Sequence, residues 1–317
     1  MWAVIPPLLL LFYYHRRVKA KPLSQLLLCF GLGALSGLVA LGLEWGFEHL
    51  ASGLEYWDTR YLHGVALRQL LEVGPIEEGC KLAGVILFCQ LPIIKRKARS
   101  PGVFLFTIAI ALGFTAQENV VYLLNGTASI IDRLIGTPVH AMFSAPWGYA
   151  LAMHDLRNDF STRRHRGRLV NRKLITRAWV NAVVCHALVN VFSSAWRYPP
   201  PLRFLSYLLF PFLLWLFWRM EGLWRRVQNQ PPRILISGLT PIHRYWQLGL
   251  VLFALMLGGN TLFGFFLLTR TLNSLSLFHL LYPDVLWFVV SRLLLNLIFG
   301  LVAWGIYRYL RRSASRG

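Results

Sequence analysis

Residues 102–125 read GVFLFTIAIALGFTAQENVVYLLN, a long apolar run with one charged side chain, Glu118. A helix needs about 20 mostly apolar residues to cross the hydrocarbon layer of a bilayer, which is roughly 30 Å thick. The run is long enough to meet this requirement. It therefore predicts a membrane-spanning helix that carries a carboxylate within the membrane.

Seven further runs have the length and apolar character of a membrane span, and a shorter one lies at the N-terminus. The seven cover residues 25–47, 70–94, 134–153, 174–196, 202–219, 246–269 and 284–307, and the short one covers 2–14. Hydrophobic residues make up 56% of the 317 residues, which is not typical of a soluble domain. The sequence therefore predicts an all-α, polytopic transmembrane helix bundle of about nine spans.

The distribution of positive charge predicts the orientation of these spans. Lys and Arg accumulate in cytoplasmic loops. Of the 33 such residues, 24 fall in alternate connections and in the C-terminal tail, at 15–22, 95–100, 154–173, 219–245 and after residue 307. We therefore expect the N-terminus outside and the C-terminus in the cytoplasm. The net charge of +20 does not indicate a nucleic-acid partner, because the charges lie in short clusters between apolar runs.

Ionisable residues within the predicted spans are the informative feature of this chain. A charged side chain near the bilayer centre costs at least about 2.5 to 3.5 kcal/mol on insertion scales, so it normally faces a protein interior or a watery cavity. The third span contains Glu77-Glu78-Gly79-Cys80-Lys81. Lys81 follows both glutamates by one helical turn, which places its ammonium beside their carboxylates. Because adjacent residues lie about 100° apart on a helix, one glutamate can enter a cavity while the other pairs elsewhere.

Three neighbouring spans carry further polar residues at helical spacing. These are Glu118 with Tyr122, His140 with Ser144, and His186 with Asn190, each pair separated by four residues and so on one helix face. Counted from the predicted outer end of each span, the acid and imidazole groups lie at depths of roughly 9 to 15 Å. The sequence therefore predicts that Glu77, Glu78, Glu118, His140 and His186 line one cavity in the outer half of the membrane.

These motifs, taken together and in this order, resemble the PrsW family of intramembrane proteases. The resemblance rests on E-E-x-x-K at Glu77–Lys81, F-x-x-x-E-N-x-x-Y at Phe114–Tyr122, the span around His140, and H-x-x-x-N at His186–Asn190. The resemblance covers about residues 70–195. The PrsW family is itself distantly similar to the CAAX-type membrane endopeptidases. The resemblance implies hydrolysis of peptide bonds in membrane-anchored protein substrates. It also implies a bacterial plasma (inner) membrane location and, as for PrsW-type enzymes, anti-sigma-factor-like substrates.

The residue types fit two versions of amide hydrolysis, which needs an activated water, a polarised carbonyl and a proton for the leaving amine. In the first version, which we favour, His140, His186 and Glu118 bind zinc and leave a position open for water. In the second version no metal is needed. A glutamate of the Glu77-Glu78 pair activates water directly, and His186 and Asn190 stabilise the oxyanion.

A proton-coupled membrane transporter is the alternative function, because the same Glu and His groups could act as a proton relay. Transporters often contain inverted repeats and broken helices around their site, and no repeat is evident here. The catalytic interpretation therefore ranks first.

The chain is predicted to divide near Pro231 and Pro232. We expect a catalytic membrane bundle over residues 1–230, with the motif core at 70–195. An accessory transmembrane hairpin and basic tail are expected over 231–317, where spans contain fewer polar residues. Glycines on the second span indicate close helix packing, at Gly31, Gly33, Gly37 and Gly42.

Overall fold

The computed structural model describes residues 2–17, 23–51, 59–91, 94, 100–153, 165–228, 240–273, 278 and 282–314, with the backbone alone at 51, 100, 131, 165–171, 241 and 273. All regular structure within these ranges is helical, as predicted. The α-helices are α1 (Ile5–Arg17), α2 (Leu23–Ala51), α3 (Leu62–Arg68), α4 (Gly74–Gln90), α5 (Ser100–Leu124), α6 (Ile130–Gly136), α7 (Val139–Met153), α8 (His165–Ser194), α9 (Leu209–Val227), α10 (Pro241–Asn273) and α11 (Pro283–Ala314). A π-helix, Gln69–Val73, joins α3 to α4, and 3₁₀ turns cover Ala195–Arg197 and Leu202–Leu208.

Six segments within the described residues are long and apolar enough to cross a membrane, and the chain is an integral membrane protein. They are Leu23–Leu50, Pro101–Leu124, Arg172–Arg197, Leu202–Val227, Ile242–Leu272 and Pro283–Ala314. The other three predicted spans coincide with the shorter helices α1, α4 and α7, of 13, 17 and 15 residues. The predicted cytoplasmic residues 95–99 and 154–164, and the predicted linker at Pro231 and Pro232, lie outside the described residues.

The helix α4 is shorter than the predicted span at both ends, because the π-helix precedes it and because it ends at Gln90. A π-turn holds one residue more than an α-turn and changes the phase of whatever follows it. The helical path from Leu62 to Gln90 is nevertheless continuous, through α3, the π-helix and α4. The predicted run from residue 70 therefore began inside this π-helix.

The helices α5 and α7 form the centre of the bundle. In α7, 12 of the 15 residues are buried, and 83% of an apolar stretch of 18 residues in α5 is buried. The helices α1, α2, α4 and α7 pack against α5, and α4, α8 and α9 pack against α7. Small residues permit this, since a Cβ added at Gly148 of α7 would meet the side chain of Thr107 on α5 at 2.6 Å.

The chain divides into two compact units, Met1–Pro231 and Pro232–Gly317. The first unit contains α1 to α9 and all of the predicted site residues. In the second unit, α10 and α11 pack against each other. Thr261 and Asn296 are buried there, and Gly264 faces the side chain of Asn296.

Candidate active site

The two glutamates of α4 differ in their surroundings. Lys81, one turn further along the helix, is fully buried and donates to both, with Nζ 3.1 Å from Glu77 Oε2 and 2.9 Å from Glu78 Oε1. The lysine also lies 4.0 Å from the centre of the Phe114 ring on α5. The ion pair expected from the sequence spacing is therefore present, and it contains both carboxylates.

Glu78 is enclosed by hydrogen-bond donors. Its second oxygen, Oε2, accepts from Ser144 Oγ at 3.0 Å and from Trp147 Nε1 at 2.9 Å, both on α7. The residue has no exposed surface. A carboxylate with donors on both oxygens is stabilised in its charged form and fixes α4 against α7.

His140, near the start of α7, lies between a cation and a carboxylate. Lys81 Nζ is 2.8 Å from Nδ1, and Glu118 Oε2 on α5 is 2.8 Å from Nε2. An ammonium only donates hydrogen bonds, so Nδ1 accepts and Nε2–H donates to Glu118. The contacts thus assign one tautomer, with the lone pair of Nδ1 directed toward Lys81 and Glu77, whose Oε2 is 3.6 Å away.

His186 of α8 completes the cluster. Its ring stacks on Phe143 with centroids 4.9 Å apart, and Nε2 lies 3.9 Å from Glu77 Oε2. The other ring nitrogen, Nδ1, is buried and has no hydrogen-bond partner. A buried polar atom without a partner is uncommon and marks a place where a further group can bind.

One donor atom each from Glu77, His140 and His186 lies within 4.8 Å of the others, so this cluster could hold a metal ion. Two imidazoles and a carboxylate are a donor set that catalytic zinc sites use. The nitrogen of His186 that faces Glu77 is Nε2, whereas the unpartnered Nδ1 lies 4.0 Å from Glu78 Oε1. The set contains Glu77 where the sequence analysis expected Glu118, because Glu118 contacts the far side of the His140 ring.

Glu118 also forms an ion pair that the sequence analysis missed. Arg133 of α6 donates from Nη2 to Glu118 Oε2 at 2.6 Å and from Nε to Asn119 Oδ1 at 2.5 Å. The guanidinium lies 4.5 Å from the centre of the Tyr122 ring. Arg133 does not lie three or four residues from any motif residue, so no pattern in the sequence indicated this contact.

Asn190 of α8 contacts the π-helix instead of the carboxylate and imidazole cluster. Its Nδ2 donates to Gln69 Oε1 at 2.7 Å, and Gln69 is the first residue of the π-helix. The structure thus brings Glu77, Glu78, Glu118, His140 and His186 into one network and places Asn190 beside it. Trp147 was also missed, although it is two turns from His140 on the same face of α7 and could have been found by that spacing.

A family model described as the PrsW family intramembrane metalloprotease matches residues 21–216, which is more than half of the chain. Protease PrsW of Clostridioides difficile (strain 630) is 26% identical over 170 residues, covering 51% of this chain and 68% of that protein. No solved structure matches the chain. The matched region includes all four sequence motifs and the whole carboxylate and imidazole cluster. On this extent of match, the chain belongs to the PrsW family of intramembrane proteases.

Proposed function

We propose that the protein is a zinc-dependent intramembrane endopeptidase in which Glu77, His140 and His186 hold the metal. The convergence of their three donor atoms within 4.8 Å carries this proposal. All three side chains are buried, and they come from three helices, α4, α7 and α8. Zinc held by three such ligands polarises a carbonyl group and activates water near neutral pH.

In this proposal Glu118 is not a metal ligand, and it contacts His140 at Nε2, on the side of the ring away from Nδ1. Its Oε2 accepts the Nε2 hydrogen of the imidazole, which fixes the ring orientation and keeps the proton off Nδ1. Because Nδ1 has a single lone pair, a metal bound there would displace the Lys81 ammonium from its contact at 2.8 Å and leave that ammonium to the two glutamates. Carboxylates in this position are common behind metal-binding histidines, and they raise the basicity of the ligand. Glu118 therefore takes a positioning role in this proposal, in place of the ligand role expected from the sequence.

The two glutamates of α4 take different roles. Glu78 has donors on both oxygens and no exposed surface, so it holds Lys81 and α7 in place. Glu77 accepts from Lys81 and faces both imidazoles. In the metal-free version, Glu77 would accept the proton of the attacking water and His186 would face the developing oxyanion. Asn190 donates to Gln69 in this geometry, so we assign it a positioning role.

The proposed substrates are membrane-anchored proteins, and an anti-sigma-factor-like protein is the class that the sequence resemblance implies. The proposed location is the bacterial plasma membrane, which agrees with a bacterial relative. The distant similarity to CAAX-type endopeptidases stays a prediction. So does the assignment of residues 231–317 as an accessory hairpin.

We also propose nine spans, with α1, α4 and α7 crossing as the short ones, and with the N-terminus outside. The alternation of Lys and Arg between connections supports this topology. A cysteine introduced at residue 165 should react with a membrane-impermeant thiol reagent only from the cytoplasmic side. Reaction only from the outside would contradict the topology.

The test uses the full chain reconstituted in liposomes with a single-span peptide substrate and with metal analysis of the purified protein. We expect about one zinc per chain, loss of cleavage on chelation, and a fall of at least about a hundredfold for Glu77→Gln, as for loss of an essential acid–base or ligand group. His186→Ala should be as severe. The control is His243→Ala, which changes an exposed histidine on α10.

The outcomes separate the alternatives. Cleavage that survives chelation but is lost in Glu77→Gln would favour the metal-free version. If Glu77→Gln and His186→Ala both remain folded and cleave at the parent rate, the protease proposal is wrong. Proton uptake by the same liposomes would then test the transporter.

A further inference from the structure

Arg133 lies outside the four sequence motifs but contacts three polar residues of one of them. It sits on α6, a short helix in the connection between α5 and α7. This helix begins after Ser129, whose side chain accepts from the backbone nitrogen of Asp132 at 3.1 Å. Such a cap fixes the start of a helix and hence the direction of the side chains one turn later. Arg133 is therefore held in place from its own helix.

The guanidinium of Arg133 contacts the polar face of α5 in three ways. Nη2 donates to Glu118, Nε donates to Asn119, and the planar group lies over the ring of Tyr122. Asn119 is itself anchored, since its Nδ2 donates to the backbone oxygen of Ala3 at 3.1 Å. A fork of donors combined with ring stacking is a geometry that arginine provides and lysine does not.

The contact with Glu118 is the one that reaches the cluster. Oε2 of Glu118 accepts from Arg133 Nη2 at 2.6 Å and from His140 Nε2 at 2.8 Å. One carboxylate oxygen thus joins the arginine to the imidazole. The arginine limits the rotation of the carboxylate, and the carboxylate sets the orientation of the imidazole and of its Nδ1 lone pair.

We propose that Arg133 is a positioning residue for His140 that acts through Glu118, an inference that rests on the proposed zinc-dependent protease. Arg133 has no direct contact with Glu77, His140 or His186 in the described hydrogen bonds and ion pairs. Its effect on the site therefore passes through the shared oxygen of Glu118. The rival role is a clamp that only attaches α6 to α5, and such a clamp would affect stability alone.

A double-mutant cycle on the reconstituted chain separates these roles. The variants are Arg133→Met, Glu118→Gln and the pair together, each measured for zinc affinity by chelator competition, for kcat and KM with the single-span peptide, and for Tm. Loss of a group behind a metal ligand typically lowers affinity or activity by about 10- to 100-fold. We expect Arg133→Met to lower zinc affinity and kcat in this range, with KM within about twofold.

Because Arg133 acts through Glu118, the double variant should be no worse than Glu118→Gln alone, since residues in one network are not additive. Arg133→Lys should fall between the parent and Arg133→Met, because it restores charge but not the fork. The control is Arg197→Met, which removes an arginine that stacks on Trp196 at 5.7 Å and lies on another connection. It should match the parent in zinc affinity and kcat.

Multiplied single effects in the double variant would overturn the inference, because they would show that Arg133 acts independently of Glu118. An Arg133→Met protein with lower Tm but parental zinc affinity and kcat would also overturn it, in favour of the clamp. Both outcomes apply to a preparation in which the parent protein cleaves the peptide and the Glu77→Gln variant does not. That difference between parent and variant upholds the proposed function. A parent that neither cleaves nor binds zinc would refute the proposed function and the inference together.

Discussion

Lys81 Nζ lies 2.8 Å from His140 Nδ1, closer than to either glutamate of its own helix. An ammonium has three donors, and here each one has an acceptor, on Glu77, Glu78 and His140. The side chain is fully buried against Phe114. The buried charge is therefore both paired and hydrogen-bonded, which is the condition under which a charge is tolerated in an interior.

Replacement of Lys81 by methionine should destabilise the protein. The change preserves most of the side-chain volume but leaves the carboxylates of Glu77 and Glu78 without their shared cation. Removing one partner of a buried pair typically costs about 3 to 5 kcal/mol. Thermal unfolding in detergent should show a lower Tm for Lys81→Met. The control is Arg311→Met, which removes an exposed cation from the C-terminal end of α11, beyond the apolar run 284–307, and should leave Tm near that of the parent. Equal Tm values for Lys81→Met and the parent would contradict the structural role of the lysine.

Glu77→Gln and Glu78→Gln should separate activity from stability. In Glu78→Gln an amide NH₂ replaces an oxygen that accepts from Lys81 or from Ser144 and Trp147, so two donors face each other. An unsatisfied buried group costs about 1 to 3 kcal/mol, and Tm should fall. Glu77→Gln should keep a Tm near that of the parent and lose cleavage. Unfolding and cleavage measured on the same preparations check both expectations. A stable Glu78→Gln protein beside an unfolded Glu77→Gln protein would reverse the assignment.

The helices of the candidate site could be predicted from the sequence because ionisable residues within apolar runs are rare and costly. The carboxylate that meets the two histidines could not. Glu77 and Glu118 were predicted at nearly the same depth, so the choice depends on the phase of each helix. The phase of α4 follows the π-helix Gln69–Val73, and a π-turn leaves no pattern in the residues that form it. The predicted zinc set with Glu118 therefore stays a prediction beside the set containing Glu77.

The predicted role of Asn190 depended on its helix spacing from His186 and on the H-x-x-x-N motif. His186 and Asn190 do lie on one side of α8, but four residues correspond to about 6 Å along the axis. This rise is enough for the asparagine to reach Gln69 while the histidine reaches Glu77. Spacing within one helix gives a shared face, and the partner on the opposite helix decides the role.

Gln69→Leu should lower turnover with little change in stability. It removes the acceptor for the Asn190 amide and so loosens the π-helix that precedes Glu77 and Glu78. Small displacements of reacting groups can reduce rates up to about 100-fold. We expect kcat to fall about 10- to 100-fold. Gln69→Glu retains an acceptor oxygen and should recover most of the loss. Gln90→Leu changes an exposed glutamine at the other end of α4 and serves as the control. Equal kcat values for Gln69→Leu and Gln90→Leu would show that the hydrogen bond from Asn190 to Gln69 does not contribute to turnover.

The close contact of α2 with α5 gives the last prediction. A Cβ added at Gly33 would collide with the backbone of Ile110, and one added at Gly113 would collide with the backbone of Phe30, so each helix uses a glycine where the other approaches. Gly31, two residues earlier on α2, faces nothing within 4 Å. Gly33→Ala should therefore force the helices apart and cost about 1 to 3 kcal/mol, as overpacking does. Gly31→Ala should be neutral or slightly stabilising, because alanine favours a helix over glycine by up to about 1 kcal/mol.

Thermal unfolding of the two alanine variants measures this difference, and peptide cleavage measures its consequence. Because α5 carries Glu118, a shift of α5 moves the carboxylate that contacts His140 Nε2 at 2.8 Å. Gly33→Ala should thus lower kcat as well as Tm, while Gly31→Ala leaves both unchanged or raises Tm slightly. Equal Tm values for the two variants would mean that α2 and α5 do not approach as closely as the backbone contact at Ile110 requires.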